Sequence, residues 1–205
     1  MSELQLAPRA PLHEEMSPRR IGRPDGPAGV TVHERTSLSL VLITARRGVH
    51  AACIDSLRAS YDLDAPATPR IVHGRALSLA WAGPESWLAV GSARPDIETE
   101  LKASVKQAAS TVDMSDQRVV MRISGPMTRA VLTKGVTIDL HPRAFAPGDT
   151  AITSLANITT QLWQVDDAPT FDLVSPRATA RDMFHWLTVS AAQFGLDVCR
   201  THPER

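Results

Sequence analysis

The chain lacks the features that mark secreted, metal-bound or membrane proteins. Cys53 and Cys199 are its two cysteines in 205 residues, which is too few for a disulfide framework, and their spacing fits no zinc site. No apolar run approaches the roughly 20 residues that span a bilayer. The first residues have no apolar segment of a secretory signal. These absences predict a cytoplasmic protein without membrane contact and without a metal site.

The chain also carries no formal net charge, because its 22 Lys and Arg residues balance its 22 Asp and Glu residues. A neutral chain has no broad electrostatic field to attract nucleic acid, so we expect no nucleic-acid partner. Weak self-repulsion favours association with other proteins instead. Aromatic residues make up 4% of the chain and hydrophobic residues 43%, so the predicted core is mainly aliphatic.

Motifs for independent chemistry are absent as well. The sequence contains no GxGxxG, GxxxxGK[ST], GxSxG or CxxC. These spacings place glycines against phosphates, or place nucleophiles and thiols at turns. Their absence predicts no dinucleotide, phosphate or nucleophile site, and we expect no catalytic, cofactor-binding or metal-binding residues in this chain.

The order of residues predicts an arm, two halves and a tail. Residues 1–29 contain five prolines, with arginines interleaved among acidic residues. This composition indicates disorder, or alternatively an arm that becomes ordered on a partner. Globular patterning then runs through a first half, residues 30–110, and a second half, residues 111–196. Residues 197–205 form a C-terminal tail.

The two halves resemble each other in pattern. GPESWLAVGSARPDIETEL (residues 83–101) and DAPTFDLVSPRATARDMFHWL (residues 167–187) each contain a turn, an aromatic residue, a short apolar strand and a helix that begins near a proline. The predicted fold is therefore α+β, with two related β-α-β-β-α halves. Predicted helices cover residues 48–61, 96–109, 127–133 and 177–194. Predicted strands cover residues 37–44, 70–80 with an interruption at Gly74, 87–90, 117–123, 151–155, 159–165 and 170–174.

Acidic residues have a structural and a functional interpretation. Asp113 and Asp116 flank a strand, where they cap a turn or contact a ligand. Asp166 and Asp167 precede Ala-Pro and favour a hairpin turn over acid–base chemistry. The PD…ExK pattern of residues 95–102 lies on one amphipathic helix, whereas metal-dependent nucleases need carboxylates that converge from several elements.

A long loop and two tryptophans are the candidate partner interface. His141 and Arg143 flank a proline between Gly135 and Gly148, and long loops with fixed turns often serve binding. We predict that this loop, including Phe145, contacts a partner rather than a substrate. Trp87 and Trp163 are either core residues or interface anchors, because tryptophan is enriched in both places.

Four stretches of the second half carry a recognisable pattern. They read TVDMSDQRVVMRISGPMTRAVL (residues 111–132), KGVTIDLHPRAFAPGDTAIT (134–153), LWQVDDAPTFDLVSPR (162–177) and FHWLTVSAAQFG (184–195). Together they resemble the gamma subunit of heterotetrameric sarcosine oxidases. The first half adds WAGPESWLAVG (81–91). VDMSDQRVVMRISGP is also similar to the D-x-S-H…x-G-P segment of the glycine-cleavage aminomethyltransferase, so the resemblance implies halves like its folate-binding domain.

The resemblance also implies a complex with alpha, beta and delta subunits. Those partners would hold FAD, FMN, NAD and tetrahydrofolate, and the smallest chain would bring zinc. Sarcosine would be converted to glycine, with hydrogen peroxide and methylenetetrahydrofolate as further products. This chain would then be a non-catalytic structural subunit without a cofactor of its own.

The sequence departs from the aminomethyltransferase where that family carries a G-G-x-x-D-D hairpin. The equivalent carboxylates would fall near Thr159 and Thr160, in the segment ANITTQ (156–161). The histidine of D-x-S-H is Asp116 here. Without an ionisable group at these places, a general base is missing. A free-standing folate-binding protein, or a subunit of a complex that acts on another N-methyl amine, are the alternatives.

Overall fold

The computed structural model describes residues 10–199, which form two β-sheets that pack face to face between outer helices. The helices are α1 (His50–Tyr61), α2 (Ile97–Val105), α3 (Thr128–Leu132) and α4 (Ala180–Ala191), and 3-10 turns at Arg177–Thr179 and Ala192–Phe194 flank α4. The strands are β1 (Arg19–Ile21), β2 (Val30–Glu34), β3 (Leu38–Ala45), β4 (Ile71–His73), β5 (Leu77–Gly83), β6 (Ser86–Ser92), β7 (Ala109–Asp113), β8 (Arg118–Ser124), β9 (Thr150–Leu155), β10 (Ile158–Asp166), β11 (Thr170–Pro176) and β12 (Leu196–Val198).

The strand orders confirm the α+β fold and the relation between its halves. The first sheet has the order β4-β5-β6-β3-β7 and the second has β1-β12-β2-β8-β11-β10-β9. The run β4-β5-β6-β3 corresponds to β9-β10-β11-β8, with one helix after β3 or β8 and another after β6 or β11. All pairs are antiparallel apart from β12 with β2.

The first half has one strand more than predicted before its second helix, because the chain turns at Gly74 and residues 70–80 form two strands. Gly74 ends β4 in a hairpin, where its N–H donates to Leu77 O at 3.0 Å. A Cβ at this position would lie 2.8 Å from Leu63 Cγ. The chain therefore turns where a side chain would not fit, and β4 and β5 pair with each other.

Alternation along the strands separates three apolar layers. On β3, Leu40 faces the opposite sheet, while Val41 and Ile43 face α1 and α2. The second sheet buries its other face under α3 and α4. The layer between the sheets is formed by Leu40, Ile71, Ala80, Leu88, Val90, Val120, Trp163 and Val174.

The boundaries predicted for the arm and the first half require correction. Leu12 and Met16 are buried in the core of the second half, and β1 pairs with β12. The prediction of disorder is therefore wrong for residues 10–29, while residues 1–9 lie outside the described part. Residues 30–34 also belong to the second sheet, since β2 pairs with β8. Of the predicted tail, residues 197–198 belong to β12 and residues 200–205 lie outside the described part.

Gly22 shows how closely this N-terminal arm follows the end of α4. Its φ is +79°, and a Cβ would lie 1.9 Å from Ala192 O. The next residue donates its N–H to the same carbonyl, with 3.0 Å between Arg23 N and Ala192 O. A residue with a side chain would force the arm away from α4, so glycine is required here.

The outer helices follow the predicted periodicity with shorter ends. On α4, Phe184, Leu187 and Ala191 are buried, as the 3,4 spacing predicts. α2 ends at Val105 rather than at residue 109, because Lys106 has a φ of 49° and β7 begins at Ala109. Within residues 10–199, no helix is both long and apolar enough to cross a membrane.

Candidate functional site

A buried carboxylate lies between the two sheets. Asp172 is on β11, on the face opposite to Phe171 and Leu173, and it is 0% exposed. Its Oδ1 accepts a hydrogen bond from Arg122 Nε at 2.7 Å, and its Oδ2 accepts bonds from Arg122 Nη2 at 2.9 Å and Arg35 Nη1 at 2.8 Å. The indole N–H of Trp163 donates to the same Oδ2 at 3.1 Å.

This cluster is a structural joint between the halves. Arg35 belongs to the connection from β2 to β3, so it joins the two sheets, while Arg122 is bidentate from the neighbouring β8. Four donated hydrogen bonds satisfy the carboxylate in a position that water does not reach. The predicted interface role of Trp163 is therefore wrong, because this side chain is 2% exposed and is engaged inside the chain.

Trp87 is a core residue as well. It is 1% exposed, it packs in the core between the first sheet and α1 and α2, and its indole N–H donates to Pro66 O at 2.8 Å. The ring of His50 lies 5.5 Å from it, centroid to centroid. Because its surface is covered by its own chain, the predicted interface role of Trp87 is also wrong.

The loop from Gly135 to Gly148 packs on the second half through Phe145. This ring is 6% exposed and stacks on Phe171 at 6.2 Å. Arg129 fastens the loop, since its guanidinium donates to Leu140 O, to Phe145 O at 3.2 Å and to Gln164 Oε1 at 2.8 Å. Burial lowers the pKa of Arg129 from its ordinary value. Phe145 therefore anchors the loop internally, and its predicted contact with a partner is wrong.

His141 and Arg143 remain on the surface of this loop. Both side chains are exposed, while the backbone beneath them is fixed. Asp139 Oδ1 accepts the N–H of His141 at 2.8 Å, and His141 Nδ1 accepts the N–H of Arg143 at 3.2 Å. The structure thus presents an imidazole and a guanidinium on a rigid turn, and their contact with a partner stays a prediction.

The hairpin between β9 and β10 occupies the place of the missing carboxylates. Ala156 and Asn157 have φ values of 52° and 64°, which suit a two-residue turn of type I′. Thr160 is buried, and its hydroxyl donates to Ile158 O at 3.0 Å, whereas Thr159 is exposed. These hydroxyls do not supply the anion of the aminomethyltransferase motif, so the residues present do not fit its folate chemistry.

Other acidic side chains are engaged in turns and surface pairs. Asp113 Oδ1 accepts the N–H and the hydroxyl of Ser115, at 2.9 and 2.6 Å, which agrees with the turn interpretation. Burial raises the pKa of Asp166, but hydrogen bonds from Ala168 and Thr170 outweigh it and leave that pKa below its ordinary value. On α2, Glu98 accepts a hydrogen bond from Thr111, and Glu100 accepts one from Arg94.

In the described part of the chain, no group of three His, Cys, Asp or Glu residues is placed to hold a metal ion.

Glu34 is a buried carboxyl that the sequence analysis missed. It is 2% exposed at the end of β2, on the same face as Val30 and Val32. Leu12 N donates to Glu34 Oε2 at 3.3 Å. Burial raises the pKa of Glu34 to about 7, against the hydrogen bond from Leu12 and the charge of Arg177. The alternating pattern V-T-V-H-E of residues 30–34 could have predicted this burial, because it places Glu34 on the same face of the strand as the two valines.

A cavity of about 820 Å³ adjoins Glu34 where the arm crosses the open end of the gap between the sheets. We call it the arm cavity; its walls are residues 10–17 of the arm, residues 34–40 around the start of β3, and residues 115–120 with Arg177. Arg118 and Arg177 line it, as does Arg35, whose guanidinium is bonded to Asp172. The sequence alone gives no sign of this cavity, because its walls come from three separate parts of the chain.

Comparison with solved structures places the fold in a known class. The chain matches the glycine cleavage system aminomethyltransferase T of Bartonella henselae with a TM-score of 0.61 at 14% identity, over 86% of this chain and 55% of that one. This likeness establishes the fold alone: the protein is an α+β chain of the aminomethyltransferase type.

Sequence comparisons identify the family within that class. The model of the sarcosine oxidase gamma subunit family matches residues 47–193. A sarcosine oxidase subunit gamma from Corynebacterium sp. (strain U-96) is 30% identical over 200 residues, which cover 94% of this chain and 93% of the relative. The chain therefore belongs to the sarcosine oxidase gamma subunit family.

A solved assembly and a further relative extend the comparison. The heterotetrameric sarcosine oxidase from Corynebacterium sp. U-96, in complex with pyrrole 2-carboxylate, contains a chain that matches with a TM-score of 0.77 at 25% identity. That match covers 91% of this chain and 96% of the other. The match with the gamma subunit of Corynebacterium sp. (strain P-1), 34% identical over 119 residues, spans 58% of that subunit.

Proposed function

We propose that this chain is a structural subunit of a heterotetrameric sarcosine oxidase. The observation that carries the proposal is the match to a chain of such an enzyme over 91% of this chain and 96% of the other. A match of this extent leaves little of either chain outside the shared fold. The expected contribution is to hold larger subunits together, since gamma-family membership covers both halves.

The reaction belongs to the assembly rather than to this chain. In this proposal, sarcosine is converted to glycine, with hydrogen peroxide and methylenetetrahydrofolate as further products. The alpha, beta and delta subunits hold FAD, FMN, NAD and tetrahydrofolate, and cytoplasm is the expected compartment. We expect this chain to contribute structurally. Its buried Asp172 is paired with two arginines, and Asp166 accepts hydrogen bonds within a turn, so neither carboxylate is placed for catalysis.

The exposed part of the loop is the proposed contact with a partner. His141 and Arg143 project from a turn that is fixed by Asp139 and anchored by Phe145. A rigid loop loses little conformational entropy when it binds, so its contacts contribute more of their energy to affinity. Arginine is also enriched among interface residues that dominate binding.

Co-purification tests the proposal directly. The full-length chain is tagged in its native host and purified. We expect three different partner chains to be recovered with it, together with a flavin absorbance band and sarcosine-dependent peroxide formation. An identically tagged unrelated protein of similar size is the control. If the chain is recovered alone and colourless, the structural-subunit proposal is wrong. Calorimetry with tetrahydrofolate would then test the free-standing folate-binding alternative.

A further inference from the structure

The arm cavity has an excess of positive charge. Arg118 and Arg177 lie next to each other across the sheet, since Arg118 pairs with Pro176 and the N–H of Arg177 donates to Gln117 O at 2.8 Å. Within residues 10–199, neither guanidinium donates a side-chain hydrogen bond. Elsewhere, Arg20 and Arg70 are each held by an aspartate. Arg118 is half-buried and Arg177 is exposed beside Glu34, so an anion in the cavity can reach donors of both.

Acidic residues at the cavity do not neutralise these arginines. Glu34 is buried, and burial raises its pKa to about 7, so it is only partly ionised at neutral pH. Asp116 lies exposed at the rim, and Arg35 is bonded to Asp172 on the other side. At neutral pH the cavity therefore carries more cationic than anionic groups, and a carboxylate is the complementary ligand.

The rest of the lining is mixed. Met16, Leu38, Leu40 and Val119 contribute carbon surface to the cavity beside the arginines, and His13, Ser17, Thr36 and Ser115 contribute polar groups. Its volume of about 820 Å³ falls in the range of small-molecule sites. Arm residues 10–17 form one wall, so this half-open cavity has room for a small polar molecule.

We propose that the arm cavity binds a small organic carboxylate, with its anionic end held by Arg118 and Arg177 and its apolar part against Leu40 and Val119. A carboxylate side chain of a partner subunit has the same chemistry, but it would have to enter past the chain's own arm. The site adjoins the Asp172 joint through Arg35, and it does not depend on the proposed structural role, since its lining residues all belong to this chain.

Photolabelling with 4-azidobenzoate, followed by peptide mapping, tests this site in the full-length chain and in the co-purified assembly. We expect labelled peptides that cover residues 34–40 or 115–120, and we expect excess benzoate to suppress the label. In the double variant Arg118→Gln/Arg177→Gln the label should fall at least about tenfold, since both charge-assisted hydrogen bonds are lost. The matched control Arg46→Gln/Arg47→Gln removes the same charge from an exposed turn and should label like the wild type.

A second variant keeps both guanidiniums and reduces the cavity. Thr36→Trp adds bulk at the lining and should also lower the competed label at least about tenfold, with circular dichroism confirming that each variant is folded. The proposal is wrong if wild-type label at these peptides is not competed by benzoate, or if both variants label like the control. Label on the isolated chain that disappears in the assembly would assign the site to a partner's carboxylate and overturn the small-molecule proposal.

Discussion

The two halves share a strand order but cover their outer faces differently. α1 and α4 are both 12 residues long. α1 buries Cys53 and Leu57, whereas α4 buries five residues, Ala180, Met183, Phe184, Leu187 and Ala191. The second half also carries the arm and the loop that ends at Gly148. Because stabilisation follows the apolar area removed from water, the second half is the better stabilised of the two.

The polar joint is also unequally shared. Asp172, Arg122 and Trp163 all belong to the second sheet, and only Arg35 leads into the first half. The second half therefore supplies three of the four residues of this cluster. The first half is held by Arg35, by the apolar layer between the sheets, by the bridge between Arg70 and Asp149, and by the chain connections before β3 and after β7. The halves share the arrangement of strands, while the buried polar contacts are concentrated in the second half.

The largest effect is expected where the two halves meet. Replacing Asp172 by alanine removes the buried carboxylate that accepts hydrogen bonds from two guanidiniums and from the indole N–H of Trp163. We expect the free energy of unfolding in urea to fall by about 3–5 kcal/mol. Asp167→Ala, on the exposed turn before the same strand, is the control and should change it by less than about 0.5 kcal/mol. Equal losses would mean that the buried cluster does not hold the halves together.

Matched leucines compare the helical layers of the halves. Leu187 on α4 and Leu57 on α1 are both 0% exposed. We expect Leu187→Ala to lower the free energy of unfolding by about 3–4 kcal/mol and Leu57→Ala by about 2–3 kcal/mol. The difference arises because the surroundings of α1 are more exposed and relax more easily around the lost side chain. Urea unfolding measures both, and a larger loss at Leu57 would reverse our ranking of the halves.

The pH dependence of stability should come from the second half, through Glu34. Its pKa is about 7 in the folded chain and near 4.5 when unfolded, so the native state binds more protons between these values. The free energy of unfolding should therefore fall as pH rises from about 4.5 to 7, by about 2–3 kcal/mol, and level off above. Arg177 and Glu15 are the charged groups that act on it.

Glu34→Gln removes this titration. Compared with the wild type, the variant should gain relative stability between pH 5 and pH 8, when both are unfolded in urea at each pH. Asp116→Asn, at the exposed rim of the same cavity, is the control and should leave the wild-type slope unchanged. A slope that survives in Glu34→Gln would assign the titration to another group.

The smallest change in stability is expected at the exposed loop. Arg143→Glu should alter the free energy of unfolding by less than about 0.5 kcal/mol, because the side chain is exposed and the loop is anchored elsewhere. Recovery of partner chains in the co-purification should nevertheless fall, since the charge at the proposed contact is reversed. Arg47→Glu, on an exposed turn of the first half, is the matched control. Unchanged recovery in Arg143→Glu would move the interface away from this loop.

Periodicity predicted the elements whose signals are local. The stripe of Phe184, Leu187 and Ala191 predicted α4, and the run rich in β-branched residues and leucine predicted β3. The sequence predicted an interruption at Gly74 within residues 70–80, but not that the chain turns there into two paired strands. The close contact of Gly74 with Leu63 that fixes this turn is visible only in the fold.

The arm and the interface residues needed information that no local pattern contains. Leu12 and Met16 stand four apart among prolines and acidic residues, so their burial depends on a sheet that forms much later in the chain. Composition favoured a core position for tryptophan but left an interface role open. A buried acceptor for each indole N–H decides between them, Pro66 O for Trp87 and Asp172 for Trp163.

The open edges of the two sheets are joined by a short antiparallel bridge between Arg70 and Asp149. Ile71 N donates to Gly148 O at 2.8 Å, and Thr150 N donates to Pro69 O at 3.0 Å. These two amide protons can exchange with deuterium from solvent only when the halves separate at this edge. Their exchange rates therefore report how often the two halves open at this edge, separately from the unfolding of either half.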